Sequence, residues 1–220
     1  MGKATILTPR QTELIRALCA DTFFTDTFYF TGGTALSEVY LKHRKSEDLD
    51  FFSARTYDPQ RILHALTRWS KTQRFSIKTD FVEPTHIYVL TYPDGHAVKV
   101  DFATYPYPSL DTPSRYRDTL SVDSLFDIAV NKLVTITQRT EVKDFVDLYF
   151  LFRQFTFWTL RDGVKTKFNI EIDPYGVASN FMAVEDFDFL PIMHTPLTLQ
   201  ALKMFFRTKA KDLGKKSIAP

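Results

Sequence analysis

The sequence predicts an α+β chain, with a mixed sheet flanked by helices over residues 1–110 and a helical lobe over residues 111–220. Three observations predict it. Strand-like and helix-like apolar patterns alternate through the first half. A proline-rich crossing, Tyr105-Pro-Tyr-Pro-Ser-Leu-Asp-Thr-Pro113, interrupts that alternation. Beyond it, apolar residues recur at helical spacing.

The elements follow in order. Thr8-Pro9 opens a helix, with Thr8 as cap, Pro9 in the first turn and Gln11 three residues after the cap. Phe28–Thr31 reads as a strand, broken by Gly32-Gly33. Ala35, Leu36, Val39 and Tyr40 then return to helical spacing. Leu49–Phe52 is a second short strand. Asp58-Pro59 starts a helix with Ile62, Leu63, Leu66 and Trp69 on one face. Strand patterns over 75–81 and 86–92 precede the Pro93-Asp94-Gly95 turn, and Ala97–Ala103 completes a hairpin. Helices are expected over about 123–137, 142–155, 174–183 and 196–213. The last two start from Asp173-Pro174 and Thr195-Pro196.

Composition narrows the class. The chain has 220 residues and is 44% apolar, with 21 phenylalanines and 10 tyrosines, enough for an aromatic-rich core. Its 28 basic residues nearly balance 26 acidic ones, so bulk charge does not announce a nucleic-acid binder. Cys19 stands alone, so no disulfide can form within the chain, as in a reducing compartment. There is no run of 18 apolar residues and no apolar leader core in Met1–Arg10. The expectation is a cytoplasmic protein with no membrane partner. The five histidines show no zinc spacing, and no Walker or dinucleotide glycine signature is present.

Chemistry concentrates in Phe30-Thr-Gly-Gly-Thr-Ala-Leu-Ser37 and Ser46-Glu-Asp-Leu-Asp-Phe-Phe52. Gly32 and Gly33, between a strand and a helix, let the backbone approach a ligand, and Thr34 adds a hydroxyl. Such a pair also serves as an ordinary tight turn. Asp48 and Asp50 alternate around Leu49. In a strand their Cα atoms lie ~6.5–7 Å apart on one face. That reach suits one Mg²⁺ or two metal ions ~3.5–4 Å apart. A solvated strand end carries the same pattern. Asp101 changes the weighing, because a carboxylate is out of place in the apolar strand Val98–Ala103. If that strand neighbours the first, three carboxylates converge as phosphoryl or nucleotidyl transfer requires. His43-Arg44, just ahead of the pair, suits either a phosphate or a solvated turn.

The stretch GGTALSEVYLKHRKSEDLDFFS resembles the opening motif of the AbiEii/AbiGii toxin family of nucleotidyltransferases. VKVDFATYPYP and FDIAVNKLVTITQRTEVKDFVDLYFLF are similar to its later segments, in the same order, across roughly residues 29–152. The resemblance implies the polymerase-beta-like nucleotidyltransferase fold. It implies Gly32, Gly33 and Thr34 at the phosphate turn, Asp48 and Asp50 on the metal, and Asp101 as a third carboxylate. Lys132 is implied on the triphosphate, and Asp144 and Asp147 as supporting acids of the last motif. Read from spacing, Lys132, Arg139 and Lys143 would line one basic stripe if a single helix ran through them, and such a stripe would clamp phosphate oxygens. Asp144 and Asp147, at i and i+3, would share a face and orient Lys132 or Lys143, or contact the base or acceptor. A structural ion pair is the other reading.

The activity implied is Mg²⁺-dependent transfer of a nucleoside monophosphate from an NTP to a hydroxyl, with Mn²⁺ as the alternative ion. The acceptor would be RNA, tRNA especially, or a protein side chain. The setting implied is the toxin of a toxin–antitoxin or abortive-infection pair, with a cognate antitoxin as partner. Two rival readings stay open: a binding protein that keeps the fold without turnover, and a metal-dependent sugar-nucleotide glycosyltransferase, which the Gly-Gly-Thr turn disfavours. Lys203, Arg207 and Lys211 stand at successive i+4 steps and suggest an outward basic stripe on the last helix, for RNA or simply for solvation.

Overall fold

The computed structural model describes residues 5–216, the side chain of Lys216 excepted. Residues 1–4 of the segment expected to lack a leader lie outside that range. The chain divides into two compact units. The first takes in the chain up to Tyr40, Ser46–Pro108 and Thr112–Asp123; the second holds Leu41–Lys45, Ser109–Asp111 and the chain from Ser124 onward.

In the first unit, α1 (Pro9–Cys19) begins with the capping box its sequence announces: Gln11 N donates to Thr8 Oγ1 at 3.2 Å, and Thr8 N donates to Gln11 Oε1 at 2.9 Å. A short α2 (Thr22–Thr27) follows, then β1 (Tyr29–Thr31), and α3 (Gly32–Ala35) continued by a π-helical segment over Leu36–Leu41. Next come β2 (Leu49–Ser53), α4 (Pro59–Gln73), β3 (Ser76–Val82), β4 (Thr85–Thr91) and β5 (Ala97–Thr104). Two strands that the sequence pattern did not announce, β6 (Ser114–Tyr116) and β7 (Leu120–Val122), complete the sheet. The expected boundary near residue 110 falls ahead of these strands, which the unit includes through Asp123.

The seven described strands run in the order β3-β4-β5-β2-β1-β7-β6. β2 is antiparallel to β1 and parallel to β5. Phe30, Phe51 and Phe102 therefore stand in one cross-strand row, all fully buried, with ring centroids 5.3 Å apart at each step. The side chains of a strand alternate between faces, so the next row, Thr31–Asp50–Asp101, points to the opposite face. The aromatic row anchors the sheet and fixes the register of the carboxylates beside it.

The second unit is helical: α5 (Leu125–Gln138), α6 (Val142–Leu151), α7 (Phe157–Phe168), α8 (Pro174–Met182) with a 3₁₀ turn over Ala183–Asp186, and α9 (Leu199–Lys216). The α7 helix was not foreseen, because Gly163 and scattered polar residues blur its period. Gly163 has a packing reason: a Cβ there would stand 2.5 Å from Val130 Cγ2 on α5. α9 starts three residues later than Thr195-Pro196 suggests, capped by Thr198, whose Oγ1 accepts from Ala201 N at 3.1 Å. Among the described residues no helix is long and apolar enough to cross a membrane.

Candidate active site

β1 ends in Thr31, and the chain turns at Gly32 with φ +72°. A Cβ built on Gly32 would lie 2.1 Å from Asp50 Oδ2, so the backbone meets this carboxylate as only glycine allows. Thr34 is buried, and its hydroxyl donates to the Asp48 carbonyl, which ties the glycine turn to the loop entering β2. Gln11 holds the same loop from the other side, donating to the carbonyls of Ser46 (3.2 Å) and Glu47 (2.8 Å). Asp50 and Asp101 are register partners on the parallel strands β2 and β5. Leu49 between the two acids of the Asp-x-Asp pair is fully buried, while Asp48 and Asp50 are partly exposed.

Lys99 belongs to this cluster and was missed by sequence reasoning. It lies two residues before Asp101 on β5, hence on the same face, and its Nζ donates to Asp101 Oδ2 at 2.5 Å. Partial burial alone would lower its pKa. Asp101, then Asp48 and Asp50, outweigh that and hold it above the ordinary lysine value. The i, i+2 spacing in a strand was the available signal.

The carboxylate donors and the close glycine backbone are the hard-oxygen environment that Mg²⁺ takes, so these residues fit such an ion in kind. Among the described residues, however, no three His, Cys, Asp or Glu side chains are gathered as a ligand set, and the ammonium of Lys99 balances Asp101.

The second unit gathers a different set. Lys132 Nζ lies 2.6 Å from Asp144 Oδ1 and 2.6 Å from Asp147 Oδ2. Asp147 also accepts from Arg44 through Nε (2.7 Å) and NH2 (2.9 Å), and pairs with His43 Nε2 at 2.7 Å. Arg139 Nε donates to Asp144 Oδ2 at 2.8 Å. His43, Arg44, Lys132, Asp144 and Asp147 are all buried. Burial would raise the pKa of Asp147, but Lys132 and Arg44 reverse it and hold the group well below the usual carboxylate range. Asp144 is lowered likewise, against its own burial, by Lys132 and Arg139. Burial would lower Lys132, and its two aspartates instead keep it above the ordinary value.

Two expectations are corrected here. The basic stripe through Lys132, Arg139 and Lys143 needs one continuous helix. α5 ends at Gln138, Arg139 is an extended cap (φ −150°, ψ 157°), and α6 starts only at Val142. Arg139 folds back on Asp144, and Lys143 pairs with Glu141 at 3.1 Å. His43-Arg44 is not a solvated or phosphate-facing turn. It is held inside the second unit, with His194 N (2.8 Å) and Thr195 N (3.0 Å) donating to the His43 carbonyl and Lys45 N donating to Ile192 O at 2.8 Å. The stripe on α9 is also partly committed: Lys203 Nζ donates to the Glu185 carbonyl at 2.9 Å, and Arg207 grips the Glu185 carboxylate with two nitrogens.

Comparison with known proteins bears on this geometry. The family described as "Nucleotidyl transferase AbiEii toxin, Type IV TA system" matches residues 16–213, nearly the whole chain. The chain belongs to this family. An uncharacterized Aquifex aeolicus protein, aq_aa25, is 36% identical over 138 residues, which are 61% of this chain and 62% of that protein, so the match spans less than two thirds of the relative. Among solved structures, JHP933 from Helicobacter pylori aligns with TM-score 0.55 and 21% identity over 96% of both chains. MenT4, a nucleotidyltransferase toxin of Mycobacterium tuberculosis H37Rv, aligns with TM-score 0.56 and 16% identity over 93% of this chain and 83% of its own. At these identities the two structures establish a common fold, the mixed sheet with a helical carboxyl-terminal part.

Proposed function

We propose that this chain transfers a nucleoside monophosphate from an NTP to a hydroxyl acceptor, breaking the α–β phosphoanhydride bond and releasing pyrophosphate, as a Mg²⁺-dependent nucleotidyltransferase toxin acting in the cytoplasm and paired with an antitoxin. The observation that carries the reading is the row in which Asp50 and Asp101 are register partners, with the Gly32 backbone pressed against Asp50. Asp48, Asp50 and Asp101 would hold the metal, which when bound supplies charge neutralisation of the triphosphate and a lower pKa for the attacking hydroxyl. The Gly32-Gly33-Thr34 turn opens a helical segment with no side-chain cap from Thr31, and its leading N–H groups suit phosphate oxygens. Asp101 accepts the proton of the acceptor hydroxyl, and Lys99 sets how much charge that carboxylate carries.

Lys132 as a nucleotide contact, with Asp144 and Asp147 as supporting acids, rests on the family resemblance; Arg139 and Lys143 as contacts would rest on a continuous helix that the chain does not keep. The two aspartates grip Lys132 here, which suits the supporting role. RNA, including tRNA, or a protein side chain is the acceptor. A second reading, a nucleotide- or partner-binding chain without turnover, draws on the Lys99–Asp101 bridge, since an internal cation already balances one acid. One experiment separates them. Wild-type and Asp50→Asn proteins are incubated with each labelled NTP, Mg²⁺ and total RNA or lysate. Label entering a macromolecule with wild type alone supports transfer; equal label, or none with either, removes it.

A further inference from the structure

A basic face of the first unit lies outside the site just described. α4 and its cap carry Arg61, Arg68, Lys71 and Arg74, with no acid from Pro59 to Arg74. At ~100° per residue, Arg61, His64, Arg68 and Lys71 fall within an arc of about 80°, and all four are exposed. Arg61 lies 4.0 Å over the Phe23 ring, and Arg68 reaches Asp21 at 3.0 Å with its side chain 67% exposed.

Beside this stripe runs an open groove of about 660 Å³ between α1, the end of α4 and the turn before β5. Arg10, Arg16 and Arg74 line it, against Glu13 and Asp94. Arg10 is set in place by stacking 4.3 Å over Tyr92 and by contacts to Asp94 (3.3 Å) and Glu13 (3.4 Å). Gln73 also lines the groove, and its amide oxygen is buried without a hydrogen-bond partner among the described residues.

We propose that this groove and the adjoining α4 stripe bind the phosphodiester backbone of a polynucleotide. Guanidinium forks on neighbouring helices match successive phosphates, and exposed arginines lose little solvation on meeting them. The proposal rests on the transfer reading for its purpose, naming the acceptor as a polynucleotide, whereas the binding itself does not need turnover.

The test uses the whole chain without NTP. Labelled single-stranded RNA and DNA of one mixed sequence, about 20 nucleotides long, are titrated by fluorescence anisotropy at about 50 to 200 mM salt. Wild type should bind with log affinity falling linearly in log salt, at a slope of about −0.7 per phosphate contacted. The variant R16Q/R68Q/K71Q/R74Q should lose about tenfold or more in affinity and show a shallower slope, with unchanged melting and unchanged labelled-NTP binding. Failure of either oligomer to bind wild type, as for a groove that takes an acidic protein instead, overturns the proposal. So does a quadruple variant with wild-type affinity and slope. If the oligomers bind through the groove but no label is ever transferred, the groove stands and the transfer reading falls.

Discussion

The two charged clusters of this chain are built on opposite principles. In the first unit, Asp50 and Asp101 are register partners on a partly exposed sheet face, Asp48 lies in the loop just ahead of β2, and the Lys99 ammonium pairs with Asp101. In the second, Asp144 and Asp147 meet Lys132, Arg44 and Arg139, and all but Arg139 are buried. Partly exposed carboxylates stay open to a cation arriving from solution. A largely buried network gains from keeping every member it has, because a buried charge that loses its partner is left unsolvated. Removing an acid from the first should cost activity and spare stability; removing one from the second should cost stability first.

The largest effect expected on folding follows from that contrast. Asp147→Ala leaves Lys132 and Arg44 buried without their shared carboxylate and should cost about 3–5 kcal/mol in urea denaturation. A loss under ~1 kcal/mol would mean that the network relaxes into water and that the contrast is false. Acid should find the same cluster. Asp144 and Asp147 have depressed pKa values in the folded chain, so their contribution is complete above the ordinary carboxylate pKa of ~3.9 and is lost as pH falls below it. Melting followed from pH 6 down to pH 2 should fall steeply below about pH 4 in wild type and less steeply in Asp147→Asn.

Smaller effects sharpen the other side. Gly32→Ala puts a methyl group into the Asp50 carboxylate on a backbone with positive φ. It should cost roughly 1–2 kcal/mol of stability together with most of the transfer rate. Lys99→Met removes the ammonium that pairs with Asp101. At 36% side-chain exposure the stability cost should be about 1 kcal/mol or less. Added Mg²⁺ or Mn²⁺ should raise melting more in the variant than in wild type; an equal response in both would place Lys99 outside the cluster's charge balance.

Local chemistry was legible in the sequence, and long-range pairing was not. The Thr8, Asp58 and Asp173 caps, the Pro93–Gly95 turn and the strands around Asp50 and Asp101 each signal themselves within a few residues. The neighbouring of those two strands was conditional in the sequence and is a register pair in the fold. β6 and β7 have three residues each, too short for alternation to show, and β7 is recruited by pairing in parallel with β1, far away in the chain. His43 and Arg44 meet Asp147 across more than 100 residues, and no local period encodes that. Helix spacing applied across the break at Arg139 made a stripe where the chain makes a corner.

The central claim is that the Asp50 cluster performs transfer and the Asp147 network holds the fold. It is tested most directly by measuring labelled-NMP transfer and urea stability side by side in wild type, Asp50→Asn and Asp147→Asn. The account predicts that Asp50→Asn abolishes transfer with a far smaller loss of stability than Asp147→Asn, which is markedly destabilised. Undiminished transfer by Asp50→Asn, or an Asp147→Asn protein as stable as wild type, would contradict it.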